Sequence, residues 1–195
     1  IESELAELGM KNAKFSCQFD VKSAPGPAEE FDSDLPAEFH QLSQFGLEST
    51  RFLMSANPGV APQPLEKTAS GGELSRVMLA IKNILFKDDV LNVFIFDEID
   101  TGLSGRIAAK VGRKLWEFCK ARQVICITHL PQVACYANSH FIVTKESLKN
   151  KTEVKIIKAD LKQRETELAK MISGKKISKE SIAHASKLIQ EAQAR

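Results

Sequence analysis

The sequence predicts an α/β fold, in which a mainly parallel sheet is flanked by helices. Two short apolar runs, residues 92–96 and 123–128, have the length and composition of buried strands. One segment with apolar residues at helical spacing precedes the first run, and another lies between the two runs. Strands that alternate with helices along a chain are typical of α/β proteins.

The N-terminal part is expected to hold the end of a helix and two strands. Residues 1–10 place apolar side chains at helical spacing and should close a helix near Gly9. Apolar and polar residues alternate over 13–21, which predicts a first strand. A second strand is expected at residues 49–55.

An acidic, proline-rich loop is predicted between these two strands. From Ala24 to Thr50 there are six Asp and Glu residues and no Lys or Arg. Three prolines and a glycine lie between Ser23 and Pro36, which favours turns. We therefore expect residues 23–45 to form a variable acidic loop. After the second strand, further prolines predict extended chain to about residue 68.

The remainder of the chain is expected to contain four helices, the two buried strands and a hairpin. The first of these helices begins after Ser70 and has one apolar face, formed by Leu74, Val77, Met78, Ile81, Ile84 and Leu85. The other helices are predicted at residues 106–122, 161–172 and 179–194, the last after a Ser178 cap, and the hairpin at 140–145 and 153–158.

Composition is that of an ordinary globular chain, with 43% hydrophobic and 27% charged residues among 195. Residues 141–195 carry thirteen Lys and Arg against seven Asp and Glu, which fits a nucleic-acid surface or simply a solvated helix face. Four cysteines without a CxxC pair indicate a reduced, cytoplasmic setting. No run is apolar enough to cross a membrane, and a first residue of Ile suggests a fragment or processed product.

The first chemical motif is TASGGELSR, residues 68–76. Ser70, Gly71 and Gly72 stand at the predicted start of a helix, where free N–H groups and a partial positive charge favour phosphate. An alternative that needs no ligand is a capping box, in which Ser70 pairs with Glu73. The sequence leaves both interpretations open.

The second and third motifs follow the two buried strands. VFIFDEIDTGLSG, residues 93–105, ends an apolar run in Asp97 and Glu98. Asp97 can hold Mg²⁺, and Glu98 can orient or deprotonate a water. VICITHLPQVA, residues 124–134, places His129 just past the other strand, where ligands gather in α/β sheets, although a lone histidine is often structural.

A phosphate-cradling loop of the form GxxxxGK[ST] is absent from the sequence. The only Gly-Lys pair is Gly174-Lys175, which is followed by Lys176, and Ala169 stands where the first glycine should be. The chain therefore has carboxylates and a phosphate-facing helix without a cradle.

Taken in this order, the three motifs resemble the second half of an ABC-type P-loop ATPase head of the SMC-like branch. SGGE resembles the ABC signature, FIFDE the Walker B strand, IDTGLSG the D-loop, and TH the switch histidine. The segments MKNAKF, FLMSANPG, KTASGGELSRVMLAIK, IFDEIDTGLSGRIA and ITHLPQVA further resemble the RecN family of bacterial DNA repair proteins. The chain then corresponds to a C-terminal lobe, residues 11–195, after the stump of a coiled-coil arm, residues 1–10.

The resemblance implies ATP and Mg²⁺ as ligands and an ATPase role in the repair of DNA double-strand breaks. It implies that Asp97 binds Mg²⁺, Glu98 polarises the attacking water and His129 contacts the γ-phosphate. It further implies that the signature residues Ser70, Gly71, Gly72 and Glu73 serve a nucleotide held by a second head, and that Asp100 lines the dimer seam.

The implied partners are the upstream Walker A half of the head, a second copy joined through ATP, and DNA, which the arms would bridge or tether. A membrane partner is not expected, and the implied location is the nucleoid. Two alternatives stay open: the nucleotide-binding subunit of a membrane transporter, and a non-catalytic module that only binds partners. Direct DNA contact would fall on Lys149, Lys151, Lys155, Lys158, Lys175 and Lys176.

Overall fold

A computed structural model describes residues 1–21, 46, 48–67, 70–85, 93–120, 122–148, 151–174 and 176–194. The chain divides into two compact units. One comprises Asn12–Ala69 together with Glu2, and the other comprises Ile1, Ser3–Lys11 and Ser70–Arg195. The predicted acidic loop, residues 23–45, lies outside the described residues, as do Lys149 and Lys175.

The smaller unit is built on an antiparallel sheet. Strand β1 (Lys14–Val21) pairs with β2 (Glu48–Ser55) over its whole length, and β2 pairs with the short β3 (Gln63–Pro64). The two predicted long strands are confirmed. The expectation of extended chain up to residue 68 is wrong in part, because Leu65–Lys67 forms a 3-10 turn.

The larger unit contains the remaining helices and strands. The helices are α1 (Glu2–Glu7), α2 (Gly71–Leu85), α3 (Gly105–Phe118), α4 (Pro131–Ala134), α5 (Leu161–Ser173) and α6 (Lys179–Gln193). The strands are β4 (Val93–Phe96), β5 (Gln123–Cys126), β6 (Phe141–Leu148) and β7 (Lys151–Lys158). The prediction missed α4, whose proline at the first turn is a recognisable helix start.

Strands β4 and β5 form the parallel pair expected of an α/β fold. Phe94 and Phe96 point to one face and pack on Phe118 of α3, with ring centroids 5.0 and 6.2 Å apart. The prediction that both strands are buried is wrong for the opposite face. There the exposed fractions are 51% at Val93, 67% at Ile95, 46% at Ile125 and 56% at Ile127.

The face that helix α2 buries matches its predicted apolar face only in part. Val77 is buried as predicted, whereas Leu74 and Met78 of the same face are exposed. Ile84 and Leu85, from the same predicted stripe, are exposed too. Leu79 and Ala80, which lie outside the predicted face, are buried. Helical spacing shows which apolar side chains share a face, but it does not show whether this chain covers that face.

Within the larger unit, helix α1 contacts helices α2 and α3 through a charged side chain. The carboxylate of Glu4 accepts hydrogen bonds from Asn83 on α2, at 3.1 Å, and from Lys114 on α3, at 3.0 Å. Leu5 and Leu8 are completely buried. Gly9 has φ of +91° and ends the helix where the sequence predicts. Whether this segment continues a coiled-coil arm stays a prediction.

The C-terminal helices form their own apolar cluster, and both begin with the caps that short polar side chains provide. Asp160 caps α5 and Ser178 caps α6, each with a reciprocal contact three residues on. The buried side chains are Ala134, Cys135, Leu168, Ala169, Ala185, Ile189 and Ala192. Helix α3 ends earlier than predicted, because the chain must turn before β5 begins.

Strands β6 and β7 pair as the predicted antiparallel hairpin, although both are longer than expected at the turn. Parallel pairing among the described residues is confined to β4 and β5, and the other strand pairs are antiparallel. Within the same residues, no helix is long and apolar enough to cross a membrane.

Candidate nucleotide-hydrolysis site

The three sequence motifs converge on one short connection. The β4–α3 loop (97–104) contains Asp97, Glu98 and Asp100. On one side it contacts the start of α2, and on the other it contacts the His129 loop (127–130), which links β5 to α4. Residues that lie far apart in sequence therefore share one end of the β4–β5 pair, the end where α/β proteins bind ligands.

The start of α2 carries the signature segment, Ser70–Gly72. The Ser70 hydroxyl accepts the backbone N–H of Glu73 at 3.5 Å, which is long for a hydrogen bond, so Ser70 is a weak cap. A capping box alone therefore does not explain why Ser70, Gly71 and Gly72 stand at the start of this helix. Ser70, Gly71 and Glu73 lie at or near the surface, where a ligand can reach them.

Gly72 is required by close packing within this chain. A Cβ atom at this position would lie 2.6 Å from the backbone oxygen of Glu98 and 3.1 Å from Cβ of Thr101. At Gly71 the nearest atom would be Oε2 of Glu98, at 2.7 Å. The glycines therefore let the helix start approach the β4–α3 loop, and they bring the Glu98 carboxylate beside the positive end of the helix.

Asp97 combines a fixed backbone with an exposed side chain. Its carbonyl oxygen accepts the hydroxyl of Ser75 at 2.7 Å, which ties the end of β4 to α2. Among the described residues no group of three or more His, Cys, Asp or Glu side chains forms a metal site. A magnesium ion in a nucleotide site needs only one or two carboxylates, because phosphates and waters fill the other positions. Asp97 fits that single-carboxylate role.

Glu98 stands in a strained backbone conformation. Its φ is +55°, and it is the one described residue other than glycine with a positive φ. Non-glycine residues in the left-handed region cost about 1–3 kcal/mol and occur preferentially at functional sites. The chain bends at Glu98, directly after Asp97, and both side chains are exposed.

Asp100 is buried within this chain, and its expected place at a dimer seam stays a prediction. Its side chain is 1% exposed, and its Oδ2 accepts the backbone N–H groups of His129 at 3.1 Å and Leu130 at 3.2 Å. The hydroxyl of Thr128 donates to the same oxygen. Oδ2 thus satisfies the donors at the start of the His129 loop, whereas the buried Oδ1 of Asp100 has no hydrogen-bond partner among the described residues.

His129 itself faces outward. Its side chain is 71% exposed, and Nδ1 lies 3.5 Å from the Asp100 carboxylate. A histidine that is anchored at its backbone and open at its ring can present Nε2 to a ligand. This geometry favours a binding role over a core role for His129.

Arg76, the last residue of the TASGGELSR motif, has a structural role that its place in the motif did not predict. It is 5% exposed, and Nη1 donates to the backbone oxygens of Ile99 at 3.0 Å and Thr101 at 3.1 Å. Burial lowers the pKa of Arg76, while the nearby charges of Glu73 and Asp100 act in the opposite direction. The position of Arg76 on the inner side of an amphipathic helix could have indicated this role, because a buried cation needs buried hydrogen-bond acceptors.

Cys126, at the end of β5, lies beside the two aspartates. Burial, together with the charges of Asp100 and Asp97, raises the pKa of the Cys126 thiol to about 12. Cys126 is a free cysteine. Cys126 therefore stays protonated at neutral pH and contributes no thiolate to the site.

No family model matches the chain. Curated relatives do match it, and they include several proteins named DNA repair protein RecN. The Xylella fastidiosa 9a5c protein is 46% identical over 81% of this chain, the Vibrio cholerae protein 38% over 97%, and the Bacillus subtilis protein 37% over 98%. The chain spans 28–33% of the length of these relatives.

Among solved structures, the fold matches the Smc head domain with a coiled coil and joint from Pyrococcus yayanosii. The TM-score is 0.51 at 16% sequence identity, over 90% of this chain and 28% of that one. Identity at this level speaks to the fold alone. The match confirms the predicted α/β fold class.

Proposed function

Because the chain belongs to the RecN family of DNA repair proteins, we propose that it is the C-terminal half of an ABC-type ATPase head. The observation that carries this proposal is the convergence at one loop of the signature segment, the Asp97–Glu98 pair and His129. Membership of a DNA repair family disfavours the alternative of a transporter subunit.

The open face of the β4–β5 pair supports a missing upstream half. Parallel strands are normally covered on both faces, yet three large apolar side chains of this pair are exposed, and so is Ile127 just after β5. The chain also represents only about a third of the Bacillus subtilis relative, 33% of its length. We propose that the segment bearing the phosphate cradle packs on this face and completes the nucleotide site.

In the proposed reaction, residues of this chain act on a nucleotide that the other half holds. Mg²⁺, when bound, supplies charge that neutralises the phosphates, and Asp97 is the residue that would hold it. Glu98 accepts a proton from, or orients, the attacking water, and its fixed backbone limits the directions in which the carboxylate can point. His129 donates a hydrogen bond to the terminal phosphate.

The signature segment is proposed to serve a nucleotide bound to a second head. Its glycines bring the start of α2 against the β4–α3 loop of its own chain, and the helix start offers N–H groups and positive potential to an anion. Two heads would then enclose two nucleotides, and hydrolysis would separate them. Coupled to arms, this cycle would bridge or release DNA ends, in the cytoplasm and at the nucleoid.

The first test is binding of ATP and Mg²⁺ to the 195-residue chain by calorimetry. We expect no detectable binding until the upstream segment of the same protein is supplied. Tight binding to this chain alone would overturn the half-site proposal. Amide exchange at residues 93–96 and 123–127 should slow when the upstream segment is added, since that segment covers their exposed face.

The catalytic assignment is tested by Glu98→Gln in the full-length protein. Loss of a general base lowers turnover by about 10²–10⁴-fold, and the ATP-bound head dimer should accumulate in light scattering. The matched control is Glu191→Gln, a surface carboxylate on α6 that pairs only loosely with Lys187 at 3.8 Å. Unchanged turnover in Glu98→Gln would remove Glu98 from the reaction.

A further inference from the structure

A buried carboxylate joins the two flanks of the candidate site. The side chain of Asp100 is buried, and three hydrogen-bond donors of the His129 loop converge on its Oδ2. Two of those donors are the backbone N–H groups of His129 and Leu130. The backbone position of His129 is therefore set by Asp100, while the ring remains exposed.

The turn that carries Asp100 is itself held from the other side. Arg76 donates through a single nitrogen, Nη1, to the carbonyl oxygens of the residues on either side of Asp100, Ile99 and Thr101. These two hydrogen bonds are formed by a buried cation, and charge-assisted bonds are the stronger kind. Arg76 lies one turn into the helix that begins with the signature segment.

Gly72 closes the same contact. A Cβ atom at Gly72 would lie 2.6 Å from the Glu98 carbonyl oxygen and 3.1 Å from Cβ of Thr101, so no side chain fits there without a shift. The start of α2, the β4–α3 loop and the His129 loop are thus linked by packing and by hydrogen bonds in sequence. Packed elements of this kind move together, because cores are not continuously deformable.

We propose that Arg76 and Asp100 are positioning residues that couple the signature segment to His129. A displacement of the start of α2, such as one caused by an anion docking on it, is transmitted through Arg76 to Asp100 and from there to the backbone of His129. The coupling itself is a property of this chain, whereas its consequence for ATP turnover rests on the proposed function.

The coupling is tested by perturbing one end and measuring the other. Arg76→Lys keeps the charge but cannot reach both carbonyl oxygens in the same way. We expect the amide protons of His129 and Leu130, which Arg76 does not contact, to exchange about three- to tenfold faster, the factor that one hydrogen bond supports. The amide of Leu168 in α5 should be unchanged.

Arg164→Lys is the matched control. Arg164 is also a buried arginine, 7% exposed, and it donates to a backbone oxygen, that of Cys135, at 2.7 Å. This hydrogen bond leads to the end of α4 and not to the β4–α3 loop. The control should leave exchange at His129 and Leu130 unchanged even if it lowers overall stability by a similar amount.

A second variant covers the case in which Arg76→Lys does not fold. Asp100→Asn conserves the volume of the side chain, and by reciprocity it should accelerate exchange of the Arg76 guanidinium protons. Faster exchange at the far end in either variant, with α5 unchanged, supports the coupling. No change at the far end, or uniform acceleration through α5 and α6, would overturn it.

The consequence for turnover is measured in the full-length protein. Arg76→Lys should lower kcat while leaving KM for ATP unchanged, since Arg76 acts through His129 and not on the nucleotide directly. Absence of ATPase activity in the unmodified protein would count against the proposed function. The exchange result would still decide the coupling, because it requires no nucleotide.

Discussion

An alanine at position 72 would place a methyl group inside the contact between α2 and the β4–α3 loop. The added carbon would lie 2.6 Å from the Glu98 carbonyl oxygen, 3.1 Å from Thr101 Cβ and 3.3 Å from Arg76 Nη1. Two of these neighbours are backbone or are fixed by hydrogen bonds, so they cannot give way cheaply. Overpacking of this kind costs about 1–3 kcal/mol.

The higher helix propensity of alanine offsets part of this cost, because alanine stabilises a helix relative to glycine by up to about 1 kcal/mol. Subtracting about 1 kcal/mol from about 1–3 kcal/mol leaves an expected net loss of unfolding free energy of up to about 2 kcal/mol for Gly72→Ala. Gly71→Ala is the matched control, since its added carbon would meet only the flexible end of the Glu98 side chain. We expect Gly71→Ala to be neutral or slightly stabilising.

The assay is urea unfolding followed by the fluorescence of Trp116, the one tryptophan of the chain. Trp116 lies on α3, in the same unit as position 72. The midpoint should fall for Gly72→Ala and not for Gly71→Ala. Equal midpoints for the two variants would refute the argument that Gly72 is retained for packing within this chain.

His140 and Cys126 both have pKa values shifted by burial. Burial, with the charge of Arg164, lowers the pKa of His140 from its ordinary 6.5, so the neutral form is favoured in the folded state. The contribution of His140 to the free energy of unfolding is therefore fully present above pH 6.5 and is lost as the pH falls below it. The urea midpoint should accordingly depend less on pH below 6.5 in His140→Gln than in the unmodified chain. The raised pKa of the Cys126 thiol predicts that iodoacetamide at pH 8 labels the exposed Cys17 and leaves Cys126 unlabelled in the folded chain, whereas equal labelling would contradict the buried environment.

The sequence determined the existence of most elements because their signals are local. The alternation in β1, the caps at Asp160 and Ser178, and the helical end at Gly9 each depend on a few neighbouring residues. The sequence also predicted that Asp97, Glu98 and His129 follow the ends of strands, because a change from apolar to polar residues marks the end of a buried strand. These features required no knowledge of distant contacts.

The tertiary structure alone decided which side chains are covered and what the polar groups bind. The stripe from Leu74 to Leu85 is apolar in sequence, yet this chain leaves most of it exposed, because burial depends on what packs against a face. Asp100 stands beside two other carboxylates in sequence, but it is buried because Thr128, His129 and Leu130 bring their donors to it. Arg76 meets its acceptors across a gap of more than twenty residues. Contacts of that range depend on the path of the whole chain, which no local pattern specifies.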